Sequence, residues 1–276
     1  MKIAGIVAEY NPFHSGHEWH IAETRKMGAT HIAAVMSGCY LQRGEPALWD
    51  KWTRTRGALL GGADLIIELP LPYACATAQC FARGAVSILD ALGVVDMLSF
   101  GSECGEIEQL RTVAAAIADK QVKAKTSELL AEGITYAAAR QRAVAAICGS
   151  AAAELLAQPN NILAIEYIAE LVRCKSTIAP VTLRRMGAGH DSTELGEYAS
   201  ASALRELVMQ GKLTEAMRHL PPSCREVYQK AWEAGECFAP ARAERSQLAA
   251  LRRMTVGDLA RLPDISEGLE NRIYAA

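Results

Sequence analysis

Two histidines placed three residues apart have the clearest capacity for chemistry in this chain. They stand in the stretch Glu9-Tyr10-Asn11-Pro12-Phe13-His14-Ser15-Gly16-His17, between an apolar run over 3–7 and a helix-like segment over 18–26. Side chains three apart lie on one face of a helix, so one turn can aim both imidazoles at the same group. Unpaired N–H groups at a helix start bind phosphate, and Gly16 allows a close backbone approach. The stretch predicts a phosphate site between a first strand and a first helix.

A second set of phosphate-binding residue types occurs far along the chain, in Ser200-Ala201-Ser202-Ala203-Leu204-Arg205. Two hydroxyls at a helix start can cap N–H groups or bind phosphate oxygens. Arg205, one turn later, can pair with a polyphosphate through its forked guanidinium. Taken alone, the segment is more typical of an ordinary helix cap followed by a solvated arginine. Its occurrence together with the two histidines favours phosphate binding.

His20 continues the spacing of His14 and His17 and raises the alternative of a metal site. Successive i+3 positions rotate around a helix by about 60° per step, so three such imidazoles do not converge on one ion. The segment also lacks the HExxH spacing of zinc hydrolases. The eight cysteines form no CxxC pair and are expected to be buried, small apolar residues in a reducing cytosol. We expect no metal held by protein ligands.

Composition limits the class of protein. The chain has 276 residues, of which 50% are hydrophobic and 22% charged, and its formal net charge is −2. This length suffices for one large α/β domain and a small appendage. The charge provides no overall attraction to nucleic acid, so such a partner would need a local basic patch. No apolar run reaches the roughly 18 residues of a membrane span, and Met1 leads into a strand without a signal peptide. We expect a cytoplasmic protein with no membrane partner.

Short apolar runs alternate with helical patterns along the first two thirds of the chain. Strands are predicted at 3–7, 30–36, 64–69, 97–100 and 177–183. Continuous apolar strands between helices indicate a parallel sheet covered on both faces, so the fold class is α/β with a doubly wound, Rossmann-like sheet. Ligands bind at the carboxyl ends of such strands. The polar loops that follow them (9–17, 37–47 and 101–105) therefore meet at the binding edge.

Helices dominate the rest of the chain. Segments 50–60, 76–92 and 162–173 carry helical spacing, and residues 106–157 are alanine-rich without a strand signal. We predict a nucleotide-binding domain over 1–211 with a helical insertion at about 106–160. A loop over 187–198, whose glycines suggest motion, separates the fifth strand from a helix near Ser200. Residues 212–276 are predicted to form a small helical C-terminal region.

Several loop residues at the predicted binding edge have alternative roles. Gly101 would let the backbone approach a nucleotide, or it is a simple turn glycine. Asn160 and Asn161 precede a helix, where asparagine usually caps, although an amide can also bind a base or ribose. Arg184 or Arg185 can hold phosphate or base. In the loop over 37–47, Arg43 is either a substrate contact or a surface charge. Asp50 is expected to cap a helix, and Trp52 is expected to pack rather than stack on a ligand.

The motifs resemble those of a known family. His14-Ser15-Gly16-His17 resembles the HxGH signature of the HIGH nucleotidyltransferases, and Ser200 to Arg205 resembles their second signature, ISSTxxR. Further segments resemble the tRNA(Met) cytidine acetate ligase family within that superfamily. They are Val7–His17, Ser37–Ala47, Gly62–Pro70, Phe100–Glu103, Pro159–Leu163, Arg185–Gly189 and Ser266–Arg272. The resemblance covers nearly the whole chain.

The resemblance implies a reaction and a set of roles. The family forms acetyl-adenylate and pyrophosphate from acetate and ATP, then transfers the acetyl group to N4 of the wobble cytidine of elongator tRNA(Met). His14 and His17 would act on the α- and β-phosphates, and Ser202 with Arg205 would hold pyrophosphate. Mg²⁺ would enter with the phosphates. The remaining ATP contacts implied are Val7, Ala8, Glu9, Tyr10, Asn11, Pro12, Phe13, Gly16, His20, Gly101, Asn160 and Arg185. Asn161 and Arg184 are alternatives for the last two.

Two other functions share these motifs. One is a small-molecule adenylyltransferase acting on a nucleotide or phosphopantetheine; the other is a nucleotide-dependent RNA-binding module that has lost catalysis. Family members generally continue past the Gly-Leu-Glu-Asn-Arg segment with a further basic stretch, whereas this chain stops at Ala276. We expect either a shortened chain or a short natural form. Arginines 242, 245, 252, 253 and 261 are either a patch for the RNA backbone or solvated charges. The oligomeric state stays open.

Overall fold

The structure is a computed structural model that describes residues 1–185, 199–238, 240–262, 265 and 268–276. The predicted loop over 187–198 therefore lies outside the described residues, as do Ser266 and Glu267 of the closing segment. The chain divides into two compact units, Met1–Cys237 and Phe238–Ala276. The predicted functional boundary at residue 211 stays a prediction.

Strands and helices alternate in the first unit as expected. The strands are β1 Ile3–Ala8, β2 His31–Ser37, β3 Leu65–Leu69, β4 Met97–Ser102 and β5 Ala179–Arg184. The helices of the first unit are α1 Ser15–Lys26, α2 Lys51–Leu60, α3 Leu71–Ala74, α4 Ala78–Ala91, α5 Ile107–Ala118, α6 Lys120–Ala131, α7 Tyr136–Cys148, α8 Ser150–Leu155, α9 Pro159–Cys174, α10 Ala201–Met209, α11 Leu213–Met217 and α12 Pro222–Glu233. The second unit contains α13 Pro240–Leu251, α14 Val256–Leu259 and α15 Leu269–Ala275.

The five strands form one parallel sheet in the order β3-β2-β1-β4-β5. The chain runs outward from β1 through β2 to β3, then returns to place β4 beside β1. Strand order reverses at that point, and the loops leaving β1 and β4 diverge to opposite faces of the sheet. A crevice opens there at the carboxyl ends of the strands, which is where open α/β sheets bind ligands. The predicted doubly wound fold is confirmed.

Each face of the sheet has its own core, because successive side chains of a strand point to opposite faces. On β2, Ala34 and Met36 join a cluster with residues of α1, α2, α10 and α12, whereas Val35 joins a cluster with residues of α4, α5 and α9. The sheet is thus the middle of three layers. Burial on both faces explains why the strands are apolar runs without alternation.

Arg54 of α2 ties the strand ends together inside the first core. It is fully buried, and its guanidinium donates to the backbone carbonyls of Trp49 at 3.1 Å, Glu9 at 2.6 Å and Ser37 at 3.1 Å. A fourth bond goes to the Gly38 carbonyl. The Glu9, Ser37 and Gly38 carbonyls lie where β1 and β2 end, and the Trp49 carbonyl lies just before α2, so one guanidinium satisfies acceptors from three chain segments.

Most predicted boundaries agree within two or three residues, and three expectations are wrong. Trp52 is 65% exposed with the Lys51 ammonium 5.3 Å from its ring centroid, so it does not pack in the core. Asn160 and Asn161 lie inside the first turn of α9 and are not its cap. Of the eight cysteines only Cys224 is buried; Cys39 and Cys148 are exposed.

No helix in the described part of the chain has the length and apolar character needed to cross a membrane.

Candidate functional site

The two signature histidines are positioned by the turn that contains them. His14 is the cap residue of α1, and its Nδ1 accepts from the Gly16 N–H at 3.1 Å. In return the His14 N–H donates to Nδ1 of His17 at 3.2 Å. This reciprocal pair resembles a capping box built from imidazoles, and it starts α1 three residues earlier than predicted. The ring centroids are 3.8 Å apart.

These bonds determine the protonation of both rings. A neutral imidazole whose Nδ1 accepts must carry its proton on Nε2. His14 and His17 therefore each have an Nε2–H group that is not used by the cap and can donate to a ligand. Tyr10 and Phe13 pack against the ring of His17, with centroids 4.9 and 5.6 Å away, and hold it in place.

The surroundings of the histidines keep them neutral. Burial lowers the pKa of His14 to about 3, with further lowering by the charges of Arg185, His219 and Arg205. Burial also lowers the pKa of His17 well below its ordinary value, followed by the effects of His14, Arg185 and His20. Cations that depress these pKa values attract an anion to the same place. The site therefore combines neutral donors with positive charge, as a phosphate chain requires.

His20 is held by a chain of hydroxyl groups. The Thr24 hydroxyl donates to the His20 carbonyl at 2.8 Å, so it accepts from Ser99, which lies 2.7 Å away. Ser99 then accepts from Nε2 of His20 at 2.9 Å. The remaining nitrogen, Nδ1, can only accept in the neutral ring. Burial lowers the pKa of His20 to about 4, and Arg185 contributes to the lowering. This ring offers an acceptor where the other two offer donors.

A network of side chains from three elements holds Arg185 at the cavity. The Glu103 carboxylate, just after β4, accepts from the Asn160 N–H at 3.1 Å, the Asn160 Nδ2 at 2.7 Å and the Asn161 N–H at 2.7 Å. Because Nδ2 of Asn160 binds a carboxylate, its Oδ1 faces the other way and accepts from Arg185 at 3.2 Å. Glu103 thus caps α9 and fixes the orientation of the amide that holds Arg185.

The same network distinguishes Asn160 from Asn161, which the sequence left as alternatives. Asn161 is 2% exposed, and its Oδ1 accepts from the N–H groups of Glu103 at 3.0 Å and Cys104 at 3.2 Å. It is therefore committed to backbone support, whereas Asn160 contacts Arg185. Arg185 lines the cavity and packs over Gly101, where an added Cβ would lie 3.1 Å from its Cγ. Gly101 lies within β4, which excludes the simple turn.

The second predicted set of phosphate-binding residues lies next to the first. Arg205 donates to the backbone oxygen of Asn11 at 3.2 Å and to Oγ of Ser202 at 3.1 Å, so it lies beside the turn that carries the histidines. Burial lowers the pKa of the Arg205 guanidinium, while Glu45 and Glu9 oppose that effect. The Ser200 hydroxyl caps α10 by accepting from the Ala203 N–H at 3.1 Å. Ser200 is therefore the helix cap, and the phosphate interpretation applies to Ser202, which contacts Arg205.

The predicted residues meet around a cavity of about 80 Å³. Its lining residues are His14, Gly16, His17, Trp19, His20, Gly101, Leu183, Arg185, Ala199 and Ser200. Asn160, Ser202 and Arg205 contact these residues or their neighbours from outside the lining. Sequence reasoning missed Trp19, Leu183 and Ala199, which carry no chemical signal. It also missed the role of Glu103, although its place after a strand at the binding edge could have marked it.

The side chains of the remaining predicted ATP contacts are mostly committed to the protein interior. Tyr10, Asn11 and Phe13 are at most 2% exposed, and Oε1 of Glu9 accepts from the Gln42 N–H at 2.9 Å. Their contact with a nucleotide stays a prediction, as it does for Val7, Ala8 and Pro12. A larger cavity of about 470 Å³ lies among α6, α7 and α9 and contains none of the predicted residues. Two buried carboxylates line this cavity, and both are paired: Glu166 with Arg140 and Glu170 with Arg173.

The fold and the site together define a class of protein. A parallel α/β sheet with paired imidazoles at the β1–α1 turn and a serine–arginine helix beside them is the arrangement of a nucleotidyltransferase. In agreement, a family model described as HIGH Nucleotidyl Transferase matches residues 1–276.

Comparison with similar proteins identifies the family within the nucleotidyltransferase class. A tRNA(Met) cytidine acetate ligase of Alkaliphilus metalliredigens is 43% identical over 99% of this chain and 69% of its own length. One of Thermoanaerobacter is 41% identical over the whole chain and 70% of its own length. The crystal structure of Thermotoga maritima TmcAL in its apo form is 35% identical, with a TM-score of 0.93 over 100% of this chain and 67% of that one. The same protein bound with alpha-thio ATP gives a TM-score of 0.92 at 33% identity. The chain belongs to the tRNA(Met) cytidine acetate ligase family of HIGH nucleotidyltransferases.

Proposed function

We propose that this chain activates acetate with ATP and transfers the acetyl group to N4 of the wobble cytidine of elongator tRNA(Met). The observation that carries the proposal is the meeting of His14, His17, Arg185 and Arg205 around one crevice at the strand switch. Relatives with this fold are named for the reaction, and a neighbour of 33% identity binds an ATP analogue.

Activation is a displacement at phosphorus. An acetate oxygen attacks the α-phosphorus, the bond to the bridging oxygen breaks, and pyrophosphate leaves with the electron pair. No protein nucleophile is needed, so the protein contributes position and charge. The Nε2–H groups of His14 and His17 would donate to oxygens of the α- and β-phosphates. Arg205 and Ser202 would hold the departing pyrophosphate, and Arg185 with Asn160 would hold the nucleotide from the other side.

The preorganisation of the two imidazoles suits this step. Their Nδ1 atoms are already bonded to the backbone, so neither ring must change tautomer or direction when charge develops on phosphate oxygens. Because the rings are neutral before binding, they are not repelled by Arg185.

Mg²⁺ is proposed to enter as part of the substrate, bound to the ATP phosphates. The described residues contain no group of three or more metal-ligating side chains. The nearest carboxylate of the network, Glu103, already accepts three N–H bonds. The chemistry of the site therefore suits a metal that the phosphates carry, because magnesium prefers oxygen ligands and this crevice presents imidazole and guanidinium groups.

Transfer completes the reaction. The N4 amine of cytidine attacks the carbonyl carbon of acetyl-adenylate, the bond to the AMP oxygen breaks, and N4 loses one proton. We propose that the RNA approaches with its phosphates near exposed arginines of the second unit, of which Arg245, Arg252 and Arg253 are exposed and Arg261 pairs with Asp258. We propose that the enzyme works in the cytoplasm, where ATP and tRNA are present.

A two-stage experiment tests the proposal. In the first stage, exchange of labelled pyrophosphate into ATP is measured with and without acetate. In the second, labelled acetate, ATP, Mg²⁺ and total tRNA are incubated, and the nucleosides are analysed for N4-acetylcytidine. We expect acetate-dependent exchange and label in N4-acetylcytidine alone. Exchange that depends on a mononucleotide or phosphopantetheine acceptor would point instead to a small-molecule adenylyltransferase, and ATP binding without exchange to a module without catalysis.

A further inference from the structure

A closed circuit of three hydrogen bonds holds His20 between α1 and β4. The Thr24 hydroxyl donates to the His20 carbonyl at 2.8 Å. The Thr24 oxygen lies 2.7 Å from the Ser99 oxygen, which in turn lies 2.9 Å from Nε2 of His20. Thr24 and Ser99 are both 0% exposed, so water does not compete for these bonds. The circuit therefore begins and ends on the same residue, inside the protein.

The direction of every bond in this circuit follows from its first member. A backbone carbonyl can only accept, so the single hydroxyl proton of Thr24 is committed to it. Ser99 must therefore donate to Thr24, and with its own proton used it can only accept from Nε2 of His20. Burial lowers the pKa of His20 to about 4, so the imidazole is neutral near neutral pH. A neutral imidazole with its proton on Nε2 has an acceptor at Nδ1.

Nδ1 of His20 is left for a ligand. His20 lines the cavity of about 80 Å³ together with His14, His17, Gly101 and Arg185. Among the residues that the structure describes, His20 uses only Nε2 in a side-chain hydrogen bond. The two other imidazoles and the Arg185 guanidinium present N–H donors at this cavity. An acceptor among these donors suits a ligand that carries a hydrogen-bond donor of its own.

The reactants of activation differ in whether they can supply that donor. The acetate carboxylate and the ionised triphosphate carry acceptors only. The nucleoside of ATP, in contrast, has two ribose hydroxyls and the adenine amine. It is joined directly to the α-phosphate that His14 and His17 are proposed to hold, and His20 lies less than one helical turn, about 5 Å, beyond His17 along α1. The nucleoside is therefore the part of the reactants that matches this acceptor in chemistry and position.

We propose that Ser99 and Thr24 are positioning residues that hold His20 in one tautomer, so that its Nδ1 selects the nucleotide by accepting a hydrogen bond from the nucleoside. The donor is a ribose hydroxyl or the adenine amine. This inference rests on the proposed function, because it concerns how the same site recognises ATP. Neither Ser99 nor Thr24 contacts the ligand, and both act through the direction of the bonds that reach His20.

Titration of the wild-type chain with ATP and three analogues identifies the donor. The 2′-deoxy and 3′-deoxy forms of ATP each lack one hydroxyl, and inosine triphosphate has a carbonyl oxygen in place of the adenine amine. Loss of the hydrogen bond to His20 should weaken the binding of one analogue about tenfold relative to ATP. The other two should bind within about threefold of ATP. Equal binding of ATP and all three analogues would overturn the proposal without any variant.

Thr24→Val should reverse the circuit. Ser99 loses its acceptor and is expected to donate to Nε2 of His20, which moves the imidazole proton to Nδ1. A donor then faces the donor of the nucleoside, so the KM for ATP in acetate-dependent pyrophosphate exchange should rise about tenfold with little change in kcat. Thr24→Ser keeps the hydroxyl and should retain the wild-type values. Nitrogen NMR of labelled histidine should show the Nε2–H tautomer of His20 in the wild type and the Nδ1–H tautomer in Thr24→Val.

The matched control is Thr126→Val on α6. Thr126 is also buried, and its hydroxyl donates to the carbonyl of Val122, four residues earlier, at 2.7 Å. This bond is of the same kind as the one from Thr24 to His20, but Thr126 does not line the nucleotide cavity. The control should leave the KM for ATP unchanged. Ser99→Ala is a second test, because the imidazole can then take either tautomer and should lose most of its discrimination against the same analogue.

Two results with the variants would overturn the proposal. One is unchanged discrimination among the nucleotides in both Thr24→Val and Ser99→Ala. The other is slower acetyl transfer to tRNA in these variants with unchanged ATP binding, which would assign the acceptor to the N4 amine of cytidine. A wild-type chain that discriminates among the nucleotides but shows no acetate-dependent exchange would contradict the proposed function and still support the role of His20.

Discussion

The two sides of the nucleotide crevice are built in different ways. On the β1 side, His14 and His17 are oriented by hydrogen bonds exchanged within four consecutive residues. On the β4 side, Arg185 is oriented by Asn160 and Glu103, which come from separate elements and lie 25 and 82 positions earlier in the chain. One side needs only a helix start, whereas the other needs the whole sheet to be assembled.

Because of this difference, we expect substitutions on the two sides to have different effects. A locally positioned pair loses its chemistry when one ring is removed, but the fold around it remains. A residue positioned through a network is displaced when any member changes, including members that never contact the ligand. Substitutions on the β1 side should therefore lower kcat, whereas substitutions on the β4 side should weaken ATP binding.

His17→Ala should have the largest effect. Loss of one preorganised donor to the α-phosphate lowers kcat for acetate-dependent pyrophosphate exchange by about 10²- to 10³-fold. The cost to stability is about 1 kcal/mol, because the His14 N–H loses its acceptor. Exchange kinetics and thermal unfolding measure the two effects, with the exposed His31→Ala as the control. Turnover equal to that of the wild type would remove His17 from the reaction.

Asn161→Ala should act mainly on stability. Its Oδ1 accepts from the backbone N–H groups of Glu103 and Cys104. Leaving a fully buried N–H group unpaired costs about 1–3 kcal/mol. We expect a loss of about 2 kcal/mol in denaturant unfolding, with the KM for ATP changed only slightly. Asn160→Ala is the matched comparison and should raise the KM for ATP. If both variants behaved alike, the division of labour between the two amides would be wrong.

Glu103→Gln should weaken ATP binding by about tenfold without a matching loss of kcat, because a neutral amide cannot accept from all three N–H groups and Asn160 turns away from Arg185. Titration with ATP alone measures this. Glu106→Gln is the control, since Glu106 is exposed in the same loop and makes no capping bond. Combining Glu103→Gln with Arg185→Lys should be non-additive. Additive losses would mean that Glu103 does not act through Arg185.

The smallest effect concerns pH and His20, which joins the two sides through Ser99 of β4. Burial and Arg185 lower the pKa of His20 to about 4 in the folded chain, against about 6.5 in the unfolded one. Between these values the unfolded chain binds more protons, so stability falls as the pH is lowered through this window. The slope contributed by His20 is about 1.4 kcal/mol per pH unit.

Denaturant unfolding at pH 6 and pH 5 measures this slope. His20→Asn should show a shallower dependence than the wild type by about that amount, and the exposed His31→Asn should not. Equal slopes for wild type and His20→Asn would show that the ring is not buried and neutral in the folded protein.

Sequence alone determined the fold class and the local half of the site. The five strands were readable because burial on both faces makes each a continuous apolar run. His14, His17 and the cap at Ser200 were readable because a helix start depends on neighbours three or four residues away. The alanine-rich segment was correctly predicted to be helical.

Tertiary structure decided what depends on distant partners. Whether Asn160 or Asn161 contacts Arg185 followed from the Glu103 carboxylate, and no spacing within residues 159–161 distinguishes the two. Trp52 and most cysteines proved more exposed than their residue types suggested, because burial depends on which helix face meets the sheet. The backbone carbonyls of Glu9, Ser37, Gly38 and Trp49 meet around the Arg54 guanidinium only once three chain segments have been brought together. Hydrogen bonds within one turn are determined by neighbouring residues in the sequence. Contacts between residues from distant segments form only when the sheet and its helices have packed.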